Sequence, residues 1–296
     1  MTFAPQELPA PALAQAASHA PEGPPLLRID GPIARIHLRR PSQRNTLSTG
    51  DLNALLAHCE VLGAQAGVRV VVLSAQVGAV ASAPSADDTA VKPVFCAGFD
   101  IGALGGAAGG ENDPTGAADV VDLFEDAVQA VANLQAVTVC ALSGSVFGGA
   151  TDLALACDLR LGVPGGIWRM PAAALGLHFY ASGLQRAHSH LGASLAKRAF
   201  LSGQALSFEE LADAGVLQLC AHSADLVTRT DALAQQISAA APLAVQSTKR
   251  SLSELAAGSA QLSVLQARSA ASRGSMDFAE GRAAWMAKRA PLFVGR

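Results

Sequence analysis

Residues 137–157, VTVCALSGSVFGGATDLALAC, decide the fold of this chain. The stretch opens with a run typical of a buried strand, turns at Gly148-Gly149 and continues with apolar residues at helical spacing. It is long enough to span a bilayer, but it contains three Gly, two Ser, two Thr and Asp152. We therefore predict a buried strand–loop–helix unit of a soluble globular protein, with no membrane segment.

Strands and helices alternate upstream of this unit. LLRIDGPIARIHLRR (26–40) predicts two strands joined by an Asp-Gly turn, and VRVVVLS (68–74) predicts a buried strand. Between them, Ser48 followed three residues later by Asp51 predicts a capped helix N-terminus. This β–α–β alternation indicates the α/β class.

Composition divides the chain into three parts. Residues 1–25 are rich in Pro and Ala and predict a disordered or loose tail. Residues 26–223 predict an α/β core, interrupted at 76–92 by a low-complexity segment that we interpret as an exposed insertion. Residues 224–296 predict helices only.

Charge and cysteine content exclude several classes of partner. The 296 residues include 21 Lys+Arg and 24 Asp+Glu, a formal net charge of −3, and only 4% are aromatic. This composition predicts no nucleic-acid partner and no basic face for an anionic membrane. The five Cys contain no CxxC pair, which favours a reducing, cytoplasmic setting, and no residue cluster has metal-ligand spacing.

Two glycine turns give the first chemical signal. In FCAGFD (95–100) and FGGATD (147–152), a predicted strand leads through small residues into a helix. Such turns leave backbone N–H groups unpaired, and the helix dipole adds positive potential. Facing each other, the two turns would form an oxyanion hole for an oxygen that becomes negative during a reaction. The alternative is that both are tight turns with close packing; neither is a phosphate-binding loop.

Five spaced segments resemble the crotonase family, the enoyl-CoA hydratase/isomerase superfamily. They are RPSQRNTLS (40–48), FCAGFDIGAL (95–104), VTVCALSGSVFGGATDLALACDLRL (137–161), LGLHFYASGLQRAHSHLG (175–192) and MDFAEGRAAWMAKRAPLF (276–293). The resemblance covers about residues 26–296. It implies a crotonase-like ββα spiral core with a C-terminal α-helical oligomerisation region, assembled as a homotrimer or a dimer of trimers.

The same resemblance implies a coenzyme A thioester as substrate and no permanently bound cofactor. By position, the thioester carbonyl lies between the N–H groups of Phe99 and Gly149, which stabilise an enolate. The residues that the resemblance places against the substrate are Arg44, Ala97, Asp100, Ile101, Gly148, Ala172, Lys288 and Phe293. Lys288 is expected to reach a neighbouring subunit's nucleotide.

The chain departs from the family pattern at its two usual glutamates, which fall on Asp152 and Ala172. Water addition needs one group to activate water and an acid to protonate carbon, so ordinary hydration is in doubt. Asp152 is a catalytic or substrate-contacting carboxylate, or else it makes a structural hydrogen bond. Tyr180 and His178 are candidate proton donors opposite Asp152; alternatively, they are bulky groups that shorten the acyl pocket.

We therefore predict an acyl-CoA-processing enzyme of the enoyl-CoA hydratase/isomerase type. One alternative is an acyl-CoA decarboxylase or C–C hydrolase, which needs the oxyanion hole but not two glutamates. The other is a non-catalytic acyl-CoA-binding relative, consistent with Ala172.

Overall fold

The computed structural model describes residues 21–77, 93–100 and 114–296, with only the backbone given for 114–119. The strands are β1 Gly23–Asp30, β2 Ile33–Arg39, β3 Val70–Ala75, β4 Val94–Cys96, β5 Val137–Leu142, β6 Ser145–Phe147, β7 Leu159–Gly162, β8 Ile167–Arg169, β9 Leu206–Ser207 and β10 Gln218–Leu219. The helices are α1 Thr49–Gly63, α2 Pro114–Ala132, α3 Gly149–Ala156, α4 Ala181–Ser202, α5 Phe208–Asp213, α6 Asp225–Ser238, α7 Pro242–Ala256, α8 Leu262–Arg273 and α9 Met276–Ala287.

The strands form two sheets, and the chain alternates between them. One sheet has the order β1-β2-β3-β5-β7-β10 and the other β4-β6-β8-β9. Apart from the antiparallel pairs β1–β2 and β8–β9, neighbouring strands are parallel. The unit β5–β6–α3 supplies one strand to each sheet and then a helix, and β3–β4–α2 before it does the same. This repetition is the ββα spiral that the resemblance implied.

Local sequence signals explain the first elements. The turn between β1 and β2 places Gly31 at φ +54, a conformation that favours glycine. Ser48 and Asp51 form the predicted reciprocal capping box: the Ser48 hydroxyl accepts from the Asp51 N–H, and the Asp51 carboxylate accepts from the Ser48 N–H at 2.9 Å. β1 begins three residues before the predicted Leu26, because its register continues across an irregularity to pair Gly23 with Arg39.

Both faces of the larger sheet are covered, which explains the continuous apolar run in β3. Val71 and Leu73 belong to the main core with α1, α2 and α3, whereas Val70 and Val72 pack in a second cluster that includes Leu226 of α6. From 224 onward the structure is helical, as predicted. Within the described ranges, no helix is both long and apolar enough to cross a membrane.

All five cysteines lie buried as free thiols. Burial raises the pKa of Cys59 and of Cys96 to about 12, so their thiols stay protonated at neutral pH.

We expect a thiol reagent to react slowly with the native protein and to titrate all five thiols once the chain is unfolded without reductant. The physical reason is that the reagent needs an accessible thiolate, which burial denies. Absorbance of the released reagent anion measures both values. Recovery of three thiols after unfolding would contradict this expectation, because it would reveal a disulfide.

Candidate active site

The two glycine turns of the sequence analysis meet in the structure. Gly98 has φ +97, and a Cβ built on it would lie 2.6 Å from the Phe147 carbonyl oxygen and 3.2 Å from the Gly149 nitrogen. Contacts that short exclude any side chain at position 98. Glycine is therefore required there both by the backbone conformation and by the close approach of the second turn.

The two turns leave the N–H groups of Phe99 and Gly149 without a backbone acceptor among the described residues. Within the described residues neither donates to a backbone carbonyl, whereas the Gly148 N–H donates to the Arg169 carbonyl at 2.9 Å. Gly149 is the first residue of α3, where N–H groups lack a partner inside the helix and the dipole is positive. Phe99 and Gly149 are both half-buried. The arrangement suits an anionic oxygen held between two N–H donors.

The segment before α1 fixes the first turn through backbone hydrogen bonds. The Leu47 N–H donates to the Gly98 carbonyl at 2.8 Å, and the Asp100 N–H donates to the Leu47 carbonyl at 3.0 Å. The Ala97 N–H donates to the Arg44 carbonyl at 2.9 Å. The structure thus brings Arg44, Ala97 and Asp100 together beside Phe99, with Arg44 and Asp100 exposed.

Asn45, which sequence reasoning did not single out as a functional residue, supports this turn from inside. Its Nδ2 donates to the carbonyls of Gln76 at 2.7 Å and Phe95 at 2.9 Å, and its Oδ1 accepts from the Arg40 N–H at 2.7 Å. The residue is buried and has φ +52, which Asn tolerates better than most residues. Asn45 therefore ties the end of β3 to β4 directly behind the turn.

Asp152 lies one turn along α3 from Gly149, and the structure pairs it with Arg186. Arg186 donates from Nε to Oδ1 at 2.9 Å and from Nη2 to Oδ2 at 2.6 Å, and the Tyr180 hydroxyl also donates to Oδ2. Asp152 is 1% exposed, so this is a buried, two-pronged ion pair. Of the about four acceptor sites of a carboxylate, three are occupied.

The pKa shifts of its partners follow from this geometry. Burial, reinforced by the charge of Asp152, raises the pKa of Tyr180, so the phenol keeps its proton. Burial lowers the pKa of Arg186, but the hydrogen bonds and charge of Asp152 outweigh it, so the net shift is upward. Arg186 therefore stays charged and neutralises Asp152.

Sequence reasoning missed Arg186. The available signal was the lone carboxylate in an apolar helix, because a buried charge needs a partner. The partner lies 34 residues away on α4, and no local pattern identifies it.

Aromatic rings surround the turns and the ion pair. A Cβ built on Gly149 would lie 2.5 Å from the tip of the Phe124 ring. Phe124 also stands edge-on to Phe99, with ring centroids 6.1 Å apart, and tilted to Tyr180 at 6.3 Å. Tyr180 in turn stacks on Phe179.

The second glutamate position of the family pattern falls after β8, on Ala172. Ala172 is buried in an apolar cluster with Met170 and Phe179, so no carboxylate is present there. His178 is exposed on the turn before α4, and among the described residues the hydrogen bonds to Asp152 come from Tyr180 and Arg186 only. Of the two proposed proton donors, the structure therefore brings Tyr180 to Asp152 and leaves His178 in solvent.

The predicted C-terminal contacts lie elsewhere in the same chain. The Phe293 carbonyl accepts from Arg69, directly before β3, at 2.8 Å, whereas the Phe99 turn lies at the other end of that strand. A six-residue strand spans about 20 Å at about 3.3 Å per residue. Lys288 is exposed at the end of α9. Within one chain, Lys288 and Phe293 are not part of this site, and Ile101 lies outside the described residues.

A cavity of about 940 Å³ is lined by α2, α4 and α7, with Arg186 among its lining residues. His190 is partly buried here, 3.5 Å from the Arg160 guanidinium. Burial, with the charge of Arg160, lowers the pKa of His190 to about 4. Lys249 forms an ion pair with Asp158 at 2.8 Å, so neither charge indicates which ligand the cavity would bind.

Across the described residues, no group of three or more His, Cys, Asp or Glu side chains could hold a metal ion.

Comparison with known proteins places the chain in a family. The family described as "Enoyl-CoA hydratase/isomerase" matches residues 28–296. The chain belongs to the enoyl-CoA hydratase/isomerase family, the crotonase family of the sequence analysis.

Individual relatives are distant. The human enoyl-CoA hydratase domain-containing protein 2, mitochondrial, is 32% identical over 282 residues, covering 90% of this chain and 87% of that protein. Its cattle counterpart is 30% identical, covering 89% and 84%. Among solved structures, an enoyl-CoA hydratase from Bacillus anthracis matches with a TM-score of 0.79 at 24% identity, covering 93% of this chain and 100% of that one. At that identity, the structural likeness shows the fold alone.

Removing Arg186 should expose the cost of leaving Asp152 buried without its cation. We expect Arg186→Leu to lower the free energy of unfolding by about 3–5 kcal/mol. The double variant Asp152→Asn/Arg186→Leu should recover much of that loss, because both charges are then absent. Urea unfolding followed by circular dichroism measures each value. Additive losses from the two single changes would contradict the coupling.

Proposed function

We propose that this protein is an acyl-CoA-processing enzyme of the enoyl-CoA hydratase/isomerase type. In this proposal it stabilises a thioester enolate between the N–H groups of Phe99 and Gly149. The observation that supports it most is the direct contact of the two turns, which leaves these two donors side by side. The substrate is a coenzyme A thioester, and no cofactor is bound permanently.

The proposed oxyanion hole acts on charge that develops during the reaction. When a bond at Cα breaks, negative charge moves onto the thioester oxygen. Two fixed N–H donors and the N-terminus of α3 stabilise that charge without reorganising. The enolate is common to hydration, isomerisation and decarboxylation, so this part of the site fixes the intermediate and leaves the reaction to the nearby side chains.

Tyr180 and Asp152 are the proposed acid–base pair. Asp152, which has about one acceptor site left, is the proposed base, and Tyr180, which keeps its proton, is the proposed acid. Hydration needs a carboxylate that activates water and a second acid. Since Ala172 supplies neither, we propose proton transfer at Cα rather than efficient water addition.

A decarboxylase is the second candidate, favoured by the pairing of Asp152 with Arg186. Loss of CO₂ from a 2-carboxyacyl-CoA breaks the C–C bond and leaves its electron pair as the enolate, so no base is required. A proton from Tyr180 or water then completes Cα. Release of CO₂ from malonyl-CoA or methylmalonyl-CoA distinguishes this candidate from the first.

Assembly is part of the proposal. Large apolar side chains are exposed on the C-terminal helices and the segment after them, among them Leu262, Trp285, Met286 and Leu292. This surface supports a homotrimer or a dimer of trimers. In such an assembly a second copy would bring Lys288 and Phe293 to coenzyme A, since they lie far from Phe99 in their own chain.

We also propose a cytoplasmic location. Five free, buried thiols fit a reducing compartment. The human and cattle relatives carry "mitochondrial" in their names.

The Gly149 donor can be removed with a matched control. Gly149→Pro deletes the N–H at the first helical position, where proline is tolerated, whereas Gly149→Ala keeps it. Both changes add a Cβ that presses on Phe124. We expect turnover in the proline variant to be about 10²–10³-fold below that of the alanine variant. Steady-state rates on a thioester substrate, with circular dichroism to check the fold, measure this; equal rates in the two variants would remove Gly149 from the mechanism.

The acid–base proposal predicts little hydration but measurable proton exchange. Crotonyl-CoA should gain water slowly or not at all, while butyryl-CoA incorporates deuterium from D₂O at Cα. Asp152→Asn keeps the shape and removes the base, so exchange should fall by at least about 100-fold. Mass spectrometry of recovered butyryl-CoA measures exchange, and absorbance of the enoyl thioester measures hydration.

Three other results would overturn parts of this scheme. Fast hydration by the unaltered protein would show that one paired aspartate suffices. Undiminished exchange in Asp152→Asn would place the base elsewhere. Binding of coenzyme A thioesters without exchange, hydration or decarboxylation would favour the non-catalytic relative.

A further inference from the structure

We propose that Phe124 sets the length of acyl group that the site accepts, so that the substrate carries a short chain such as acetyl or butyryl. This inference rests on the proposed function, because it takes the thioester carbonyl to lie on the N–H groups of Phe99 and Gly149. It names the substrate class of that same site.

The position of the Phe124 ring carries the inference. The ring lies where a Gly149 side chain would begin, with its Cζ 2.5 Å from that Cβ position. It is edge-on to Phe99 and tilted toward Tyr180, the two rings on either side of it. Phe124 is 4% exposed, so the ring is enclosed and not turned out to solvent.

The reacting carbons must pass close to this ring. The thioester carbonyl belongs on Phe99 and Gly149, and the proposed acid–base pair acts on the next carbons from Tyr180 and Asp152. Phe124 contacts both ends of this path. Among the described residues, carbons beyond the reacting ones therefore meet the Phe124 ring, because a chain and a ring cannot share the same space.

Two hydrogen bonds to residues that follow Phe124 on α2 hold the ring in place. The residue after it, Glu125, accepts from the Ser182 hydroxyl at 2.6 Å, and Gln129 accepts from Arg186 Nη1 at 2.7 Å. Both partners lie on α4. Moving Phe124 away from Gly149 breaks these contacts, including one to the arginine that neutralises Asp152.

Among the described residues, the space behind Tyr180 is filled first by Phe179, with Phe200 further back. Phe179 stacks on Tyr180 with centroids 4.2 Å apart and meets Phe200 edge-on at 5.5 Å. Met170, Ala172 and Phe179 form a buried cluster at the position where the family pattern has a glutamate. A longer chain is thus blocked on this side as well.

Calorimetric binding of acetyl-, butyryl-, hexanoyl- and octanoyl-CoA to the full chain tests the proposal without requiring turnover. In the unaltered protein, octanoyl-CoA should bind at least about tenfold more weakly than butyryl-CoA, since a single misfitting methylene is worth about 10–200-fold. Phe124→Ala removes the ring and should bring octanoyl-CoA to parity with butyryl-CoA or better. Phe124→Leu, a smaller change in volume, should shift the preference in the same direction by less and guards against loss of the fold.

Phe200→Ala is the matched control. It removes a ring from the same aromatic group but from behind Phe179, so it should leave the ratio of octanoyl to butyryl affinity within about twofold of the unaltered protein. Equal binding of short and long chains by the unaltered protein, or an unchanged ratio in a folded Phe124→Ala variant, would overturn this inference and leave the proposed function standing. Failure of all four thioesters to bind the unaltered protein would overturn the proposed function and this inference together.

Discussion

The close parallel contact between β4 and β6 is the constraint on which the site depends. Glycine permits that contact at both ends of the pair. A Cβ on Gly144 would lie 2.3 Å from the Pro93 carbonyl oxygen where the strands begin, and one on Gly98 would lie 2.6 Å from the Phe147 carbonyl oxygen where they end. A side chain at either position would push the strands apart. The spacing of the two turns is therefore set by the backbone of the smaller sheet, before any polar side chain contributes.

Beside that backbone contact, the charge of Asp152 is balanced by Arg186. Asp152 lies in the first turn of α3 and is already neutralised by Arg186, so it does not cancel the positive potential that the helix dipole supplies at the turns. The same arginine also connects α4 to α2, and through α2 to the ring beside Gly149. Arg186 thus both neutralises Asp152 and supports the helix that carries Phe124.

The features that the sequence predicted correctly are those that depend on residues close together in the chain. The capping box at Ser48, the buried run in β3 and the turn into α3 all depend on residues close together in the chain, and each was found where the sequence placed it. The contacts that pattern reading missed are those made across long separations or by very short elements. They include the three-residue strand β8, the Asp152–Arg186 pair and the Asn45 side-chain bonds. Periodicity needs more than three residues to show, and pairing between distant residues leaves no spacing to read.

The ends of the larger sheet bear on how copies of this chain meet. β1 lies at one edge and includes Pro24 and Pro25, which have no N–H to offer to an incoming strand, while Arg28 adds charge along the same strand. At the other edge, β10 is only two residues long. Neither edge is a good template for adding a strand from another molecule. Growth of the larger sheet by strand addition, a route to fibrous aggregates, is therefore disfavoured.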